Sequence, residues 1–222
     1  MRIPALLLAA SSVLLHADTL ADLKAALRAL PAKQPVRLSV AQKGWDEEEG
    51  KRNAYEETFT ASDGPDGASL QGRARSAKVS GGIRRDEGTS WVRPHEDLLQ
   101  DLAEAKVLEE RGDSFDGRPV RRLRLAVAPD LDEDARKHVK RAVSECTVWV
   151  GPDGLPVAWR RDLDMKVRAM LFFSMEMNLA VQRRFQKHQD RLVVVSEAVD
   201  VRGKAMGHPF AAEGRATARV EP

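Results

Sequence analysis

The side chains in this sequence that could bind a metal ion do not have the spacing of a metal site. Four histidines lie beyond the first seventeen residues, and they are His95, His138, His188 and His208. No two of them are four residues apart, the spacing that places two ligands on one face of a helix. The acidic group at 130–134 lacks the glycine and the terminal glutamate of a calcium loop, and it suits the start of a helix. We therefore expect no metal ion and no cofactor.

The sequence also lacks the common arrangements for nucleophilic catalysis. It contains no Gly-x-Ser-x-Gly motif, no glycine-rich phosphate loop and no dinucleotide fingerprint. Ser144 and Ser174 have no recognisable base nearby in the sequence, which leaves open only a triad assembled in space. Cys146 is the single cysteine and lies in an apolar run, where a lone thiol usually serves as a small core side chain. We therefore expect a protein that is not an enzyme.

Six methionine and phenylalanine residues lie close together in one segment and form the sharpest candidate ligand-binding site. They are Met165, Met170, Phe172, Phe173, Met175 and Met177. Methionine adapts to irregular apolar partners, so strands rich in it could line a surface that accepts a lipid or a peptide. The alternative is that these side chains fill the core between a sheet and helices, because exposed apolar patches are uncommon on soluble monomers.

The elements that carry this cluster are long two-faced strands. Between 157 and 181 the odd positions are apolar except for Arg161, and most even positions are polar. One strand of that length would extend about 80 Å, beyond the span of a compact domain, so the chain must reverse. We place the reversal at 169–173, where both faces are apolar, and a second one at 188–190. Met170 and Phe172 then point away from the odd-numbered members of the cluster.

Helical periodicity occurs in three places, near 19–30, 95–111 and 131–143. The second of these helices is predicted to start at Pro94 and to end at Gly112. Further strands are predicted at 36–40, 55–59, 68–79, 120–127, 148–150 and 191–201, and the tail from 203 to 222 is expected to form one more edge strand. The order predicts an α+β fold dominated by antiparallel strands.

The first seventeen residues have the pattern of a secretory signal peptide. A basic start is followed by an apolar run from Ile3 to Leu15 and by Ala17, after which we expect cleavage. The run is too short to span a bilayer, and no cysteine follows it that could carry a lipid anchor. The formal net charge of +2 gives no excess field to attract nucleic acid. We expect a mature, soluble domain at 18–222 in the periplasm or outside the cell, without a transmembrane segment.

Two segments of the chain carry a resemblance to a known superfamily. Residues 115–120 (Phe-Asp-Gly-Arg-Pro-Val) and 148–157 (Val-Trp-Val-Gly-Pro-Asp-Gly-Leu-Pro-Val) are similar to the strand–turn–strand stretch of LolA/LolB/RseB-like periplasmic lipoprotein-handling proteins. In that superfamily a Gly-Leu-Pro hairpin leads into a longer outgoing strand. The resemblance implies a single half-barrel domain, an incomplete antiparallel β-barrel (a curved sheet) with an N-terminal helix and with helices covering its concave face.

The resemblance also implies a function. A protein of this type accepts acyl chains or a lipoprotein on an apolar concave face, and we expect an exported binding or carrier protein that acts as a monomer. The alternative is a non-enzymatic structural or regulatory module of the envelope on the same fold. In that case the apolar face is core, and the charged outer face binds an envelope protein.

Overall fold

A computed structural model describes residues 18–30, 34–72, 89–129, 131, 133–169 and 173–221. The predicted signal peptide at 1–17 lies outside these ranges. The helices are α1 (Thr19–Arg28), α2 (Thr89–Val92), α3 (Pro94–Leu102) and α4 (Glu133–His138). The strands are β1 (Val36–Glu48), β2 (Lys51–Gly64), β3 (Gly67–Gly72), β4 (Lys106–Phe115), β5 (Arg118–Ala126), β6 (Val139–Val150), β7 (Pro156–Ala169), β8 (Phe173–His188), β9 (Arg191–Ala205) and β10 (His208–Val220).

The strands of the described ranges form one antiparallel sheet that is curved and does not close. Its order is β3-β2-β1-β10-β9-β8-β7-β6-β5-β4. The predicted fold dominated by an antiparallel sheet with few helices is confirmed. Across those same residues, no helix has the length and apolar character needed to cross a membrane.

The position of the last strand corrects one expectation. β10 pairs with β1 on one side and with β9 on the other, so it lies inside the sheet and is not an edge strand. Its inward residues include Ala212, Gly214 and Ala216, which are too small to give a clear apolar alternation. Pairing with β1 depends on contacts distant in sequence, which periodicity does not report.

The two faces of the sheet differ as the alternation predicts. One face, here called the helix-side face, carries the odd-numbered residues of β7, where Leu163 and Met165 are buried. The leucines of α1 and α3, among them Leu23, Leu27 and Leu102, belong to the same hydrophobic core as this face. Helix α2 contacts β1, β2 and β9, and α3 contacts β9 and α1. The opposite face, called the outer face, carries mainly charged side chains.

Two predicted helices are shorter than expected. The helix near 95–111 ends at Leu102, and residues from Lys106 onward form β4, with Gly112 in the middle of the strand. The helix near 131–143 is reduced to α4, and β6 begins at Val139. In both places the backbone gains a hydrogen-bonded ladder with a neighbouring strand, and this tertiary pairing overrides a weak helical stripe.

The predicted turns and the first helix agree with the structure. The chain reverses between Ala169 and Phe173, which pair across β7 and β8, and it reverses again at 189–190. Helix α1 starts after Asp18, whose carboxylate accepts a hydrogen bond from the Ala21 amide at 3.1 Å. The strand predicted at 68–79 corresponds to β3 as far as Gly72, and the rest of that prediction lies outside the described residues.

Candidate functional site

Three members of the methionine and phenylalanine cluster lie together on the helix-side face. Met165 of β7 stands directly opposite Met177 of β8, and Met175 lies two residues from Met177 on the same side of the strand. All three side chains are buried, with exposed fractions of 0% for Met165, 4% for Met175 and 1% for Met177. Met170 and Phe172 lie outside the described residues, and Phe173 is described only as the first residue of β8.

Buried aliphatic side chains extend this methionine patch across three strands. Leu163 and Leu179 pair across β7 and β8, and Leu179 pairs in turn with Val201 of β9. Two residues after Val201 in β9, Gly203 lies opposite Met177. The patch therefore continues from β7 into β9 as one apolar surface that adjoins a position without a side chain.

Aromatic rings lie over glycines near one end of this face. A side chain on Gly203 would collide with the ring of Phe210 and with the carbonyl oxygen of Glu176. Tyr55 lies against Gly44 and Gly214 in the same way, and its hydroxyl accepts a 3.4 Å hydrogen bond from the Gln42 amide. These glycines allow the two rings to approach the backbone of the sheet closely, which a residue with a Cβ would prevent.

At the other end of the face, charged side chains connect α3 to the sheet. Arg161 of β7 donates to Asp101 of α3 at 2.7 Å and to the Ser144 hydroxyl at 3.0 Å. A third donor reaches the carbonyl oxygen of Ala128 at 2.9 Å. The side chains of Arg161 and Asp101 are only 14% and 17% exposed, so the pair is largely removed from water.

A second arginine forms the same kind of contact one strand further along. Arg183 of β8 donates to Glu197 at 2.7 Å and to Asp97 of α3 at 3.4 Å, and its guanidinium lies over the ring of Trp159 at 5.8 Å. Burial opposes the charge on Arg183, but the neighbouring carboxylates outweigh this cost and raise its pKa. Arg183 therefore stays charged inside the protein.

The third contact is built around a buried carboxylate. Asp63 of β2 accepts hydrogen bonds from Arg93 at 3.0 and 2.7 Å and from Arg191 at 2.8 Å, and its side chain is 2% exposed. The hydrogen bonds from Arg93 are the main reason that the pKa of Asp63 is lowered. His95 is buried nearby, its pKa is lowered by that burial, and its Nδ1 has no hydrogen-bond partner among the described residues.

These contacts share one side of α3. Asp97 and Asp101 are four residues apart and follow each other along one face of α3, and Arg93 lies directly before the helix. Each of the three meets an opposite charge held by the sheet. We call the three contacts the polar seam. One member of the seam stands out in the sequence, because Arg161 is the one polar residue among the apolar odd positions of 157–181.

The structure describes the surroundings of Cys146 and Ser144, the two other candidate side chains on β6. Cys146 is fully buried, and burial raises the pKa of its thiol. The Ser144 hydroxyl accepts its hydrogen bond from Arg161, which cannot serve as a base. Among the residues the structure describes, no three histidine, cysteine or carboxylate side chains are grouped to hold a metal ion.

Comparison with known proteins gives no family assignment. No model of a known protein family matches the chain, and no curated protein matches it. A crystal structure of a DUF1329 family protein from Desulfovibrio piger is 15% identical, with a TM-score of 0.36 over 89% of this chain and 90% of that one. A crystal structure of MucB in complex with MucA(peri) is 12% identical, with a TM-score of 0.17 over 91% and 93% of the two chains. Both TM-scores are low, and the description of the fold rests on the strand order and register given above.

Proposed function

We propose that this chain is an exported, non-enzymatic binding protein that accepts an acyl chain or a lipoprotein on the helix-side face of its sheet. In this proposal the helix-side face is the concave face of a half-barrel, helices α1 to α3 cover it, and the ligand enters between helices and sheet. The site of action is the periplasm or the outside of the cell, which the signal-like sequence at 1–17 supports.

The observation that carries the proposal is the pairing of Met165 with Met177 beside Gly203. Methionine side chains are unbranched and can change rotamer at low cost, so they can move aside for an alkyl chain and still contact it. Gly203 has no side chain and the ring of Phe210 lies over it, so the methionine patch adjoins an aromatic surface. An apolar ligand of flexible shape suits such a lining better than a rigid one.

The polar seam supports entry of a ligand between α3 and the sheet. Contacts such as Arg161–Asp101 and Arg183–Asp97 join charged groups that water can solvate when they separate. Hydration of the separated charges therefore offsets the free-energy cost of breaking these ion pairs, whereas apolar surfaces that separate gain no such offset.

The alternative function is an envelope interaction module on the same fold. The observation in its favour is the burial of Met165 and Met177, which are 0% and 1% exposed and fill the core as ordinary apolar residues would. In that case the partner is an envelope protein that binds elsewhere on the domain.

Native mass spectrometry of the protein purified from its own envelope separates these functions. A co-purifying lipid supports the carrier, and a co-purifying protein supports the module. Edman sequencing of the same material should begin at Asp18, and an intact Met1 on folded cytoplasmic protein would argue against export.

Displacement of a fluorescent fatty acid then tests the methionine patch directly. The double variant Met165→Leu/Met177→Leu keeps the side-chain volume, so its melting temperature should change little, while its binding of the probe should weaken. Met206→Leu is the matched control, because Met206 is 61% exposed and lies outside the patch. Probe binding that is absent in the wild type, or equal in all three proteins, would contradict a ligand site at these methionines.

A further inference from the structure

Strand β4 leaves one edge of the sheet open. Within the described ranges, β4 pairs with β5 alone, so the backbone groups on its other side meet no described strand. Open edges are usually protected by proline, by a bulge, by charged side chains or by a very short strand, and the charged residues of β4 are Lys106, Glu109, Glu110, Arg111 and Asp113. β4 has ten residues without proline, and its one irregularity lies between Val107 and Glu109, which leaves 109–115 as a regular seven-residue edge.

The sequence of this edge is complementary to itself. Residues 109–115 read Glu-Glu-Arg-Gly-Asp-Ser-Phe, with Gly112 at the centre. In an antiparallel pair centred on Gly112, Arg111 of each copy stands opposite Asp113 of the other, and Glu110 stands opposite Ser114. Opposite charges in directly opposed positions stabilise antiparallel strands.

The neighbouring registers are less favourable. A two-fold axis perpendicular to the sheet places the same face of both copies on the same side of the joined sheet. Directly opposed residues must then be an even number of positions apart in the sequence, so the centre of the pairing falls on a residue and not between two residues. Centring on Arg111 would place two arginines opposite each other and Glu109 opposite Asp113, while centring on Glu110 would oppose two glutamates. Like charges in opposed positions are destabilising. Gly112 adds no side chain at the axis, and even a Cβ there would find open space.

We propose that two copies of this chain associate through β4, antiparallel and centred on Gly112, so that their sheets become continuous. The exposed side chains of Val107 and Leu108, at 46% and 50%, then lie beside the turn at 116–117 of the second copy and lose part of their contact with water. The charge pattern of β4 favours a second copy of the chain as the partner, and the proposed dimer differs from the monomer expected from the sequence.

Sedimentation velocity over a range of concentrations of the full chain tests this proposal. Arg111→Asp places a carboxylate at position 111 opposite Asp113 of the other copy, and the two-fold axis repeats this repulsion at a second position. The change should raise the dissociation constant of the dimer about tenfold. Arg111→Asp/Asp113→Arg exchanges the charges and should restore association. Arg202→Asp is the control, because Arg202 is 75% exposed on β9 and far from the edge in strand order. Thermal melts establish that each variant is folded.

Oxidative cross-linking provides a second measurement that does not depend on the charged residues. Gly112→Cys should form a disulfide-linked dimer, since the two new thiols meet at the axis, whereas Cys146 is buried. Gly64→Cys, placed at the end of β2, should stay monomeric on the same gel. A wild type that is monomeric at every concentration overturns the proposal. A dimer whose dissociation constant is unchanged by Arg111→Asp and which forms no Gly112→Cys cross-link also overturns it. The same holds for an assembly that grows into filaments through contact between β3 and β4.

Discussion

Arg161 and Asp101 lie 2.7 Å apart, although one belongs to the middle of β7 and the other to the end of α3. The contact places a charge in a row of β7 that is otherwise apolar, and it joins the helix to the sheet at a fixed position. The same arginine reaches the Ser144 hydroxyl and the Ala128 carbonyl oxygen, so three acceptors surround one guanidinium.

Removing one partner of this pair should destabilise the domain more than removing both. Asp101→Leu leaves the Arg161 guanidinium poorly compensated, and we expect a loss of about 2 kcal/mol in the free energy of unfolding, reduced by the partial exposure of the pair. Arg161→Met/Asp101→Leu should lose less, because no charge remains. Urea denaturation of the single and double variants measures this, and strictly additive losses would argue against the coupling.

The carboxylate of Asp63 should control stability in acid. Its pKa is lowered from 3.8, mainly by the hydrogen bonds from Arg93, so its stabilising effect is present above pH 3.8 and is lost as the pH falls through the lowered pKa. Asp63→Asn should cost about 3 kcal/mol at neutral pH, because Arg191 stays buried without its carboxylate, and it should flatten the acid limb of the stability curve. Asp66→Asn, on the exposed turn nearby, should change neither. An unchanged acid limb in Asp63→Asn would contradict this account.

His95 should produce a separate loss of stability at mildly acidic pH. Burial lowers its pKa from 6.5, with Arg93 and Arg191 adding to the shift and Glu96 and Asp63 opposing it. The unfolded chain then binds a proton before the folded one does, so stability declines as the pH falls below about 6.5.

Melting temperatures measured from pH 8 to pH 5 check the role of His95. His95→Leu should decline less over this range than the wild type, because its buried side chain cannot take up a proton. His138→Gln, at an exposed position, is the control and should behave as the wild type does. A decline of the same size in His95→Leu would assign the effect to other groups.

Gly44 should tolerate no side chain. A Cβ at this position would collide with the Glu213 carbonyl oxygen and the Tyr55 hydroxyl, and the first of these belongs to the backbone of the paired strand β10. Gly44→Ala should therefore cost about 2 kcal/mol, the scale of an overpacked interior. Gly64→Ala meets no atom within 4 Å and should be neutral or slightly stabilising. Equal melting temperatures for the two variants would show that β1 and β10 can separate locally without cost.

The strands that carry the methionine patch could be predicted because their pattern is local. Alternation along 157–181 assigned the two faces, and the loss of alternation near 169–173 located the reversal. The patch itself follows from the same parity, since Met165, Met175 and Met177 share it. Met170 and Phe172 fall outside the described residues, and their predicted orientation stays a prediction.

The polar seam and the order of the strands could not be predicted in the same way. Arg161 was visible as an exception in an apolar row, but its partner Asp101 is distant in sequence and sits in a segment predicted as a longer helix. The extension of that helix to residue 111 was wrong because the ladder between β4 and β5 competes with helical hydrogen bonds. Pairing energies of this kind depend on which strand lies alongside, and a single sequence does not contain that information.

The location of β10 between β1 and β9 has a consequence for the order in which the chain can fold. Strands β4 to β9 pair with their neighbours in sequence, so this part of the sheet can assemble step by step from short loops. The unit formed by β1, β2 and β3 is different, because within the described residues the pairing of β1 with β10 alone joins it to the other strands of the sheet. β10 must therefore be released from the ribosome, or from an export channel, before β1 can pair with it, and completion of the sheet should be a slow, late step of folding.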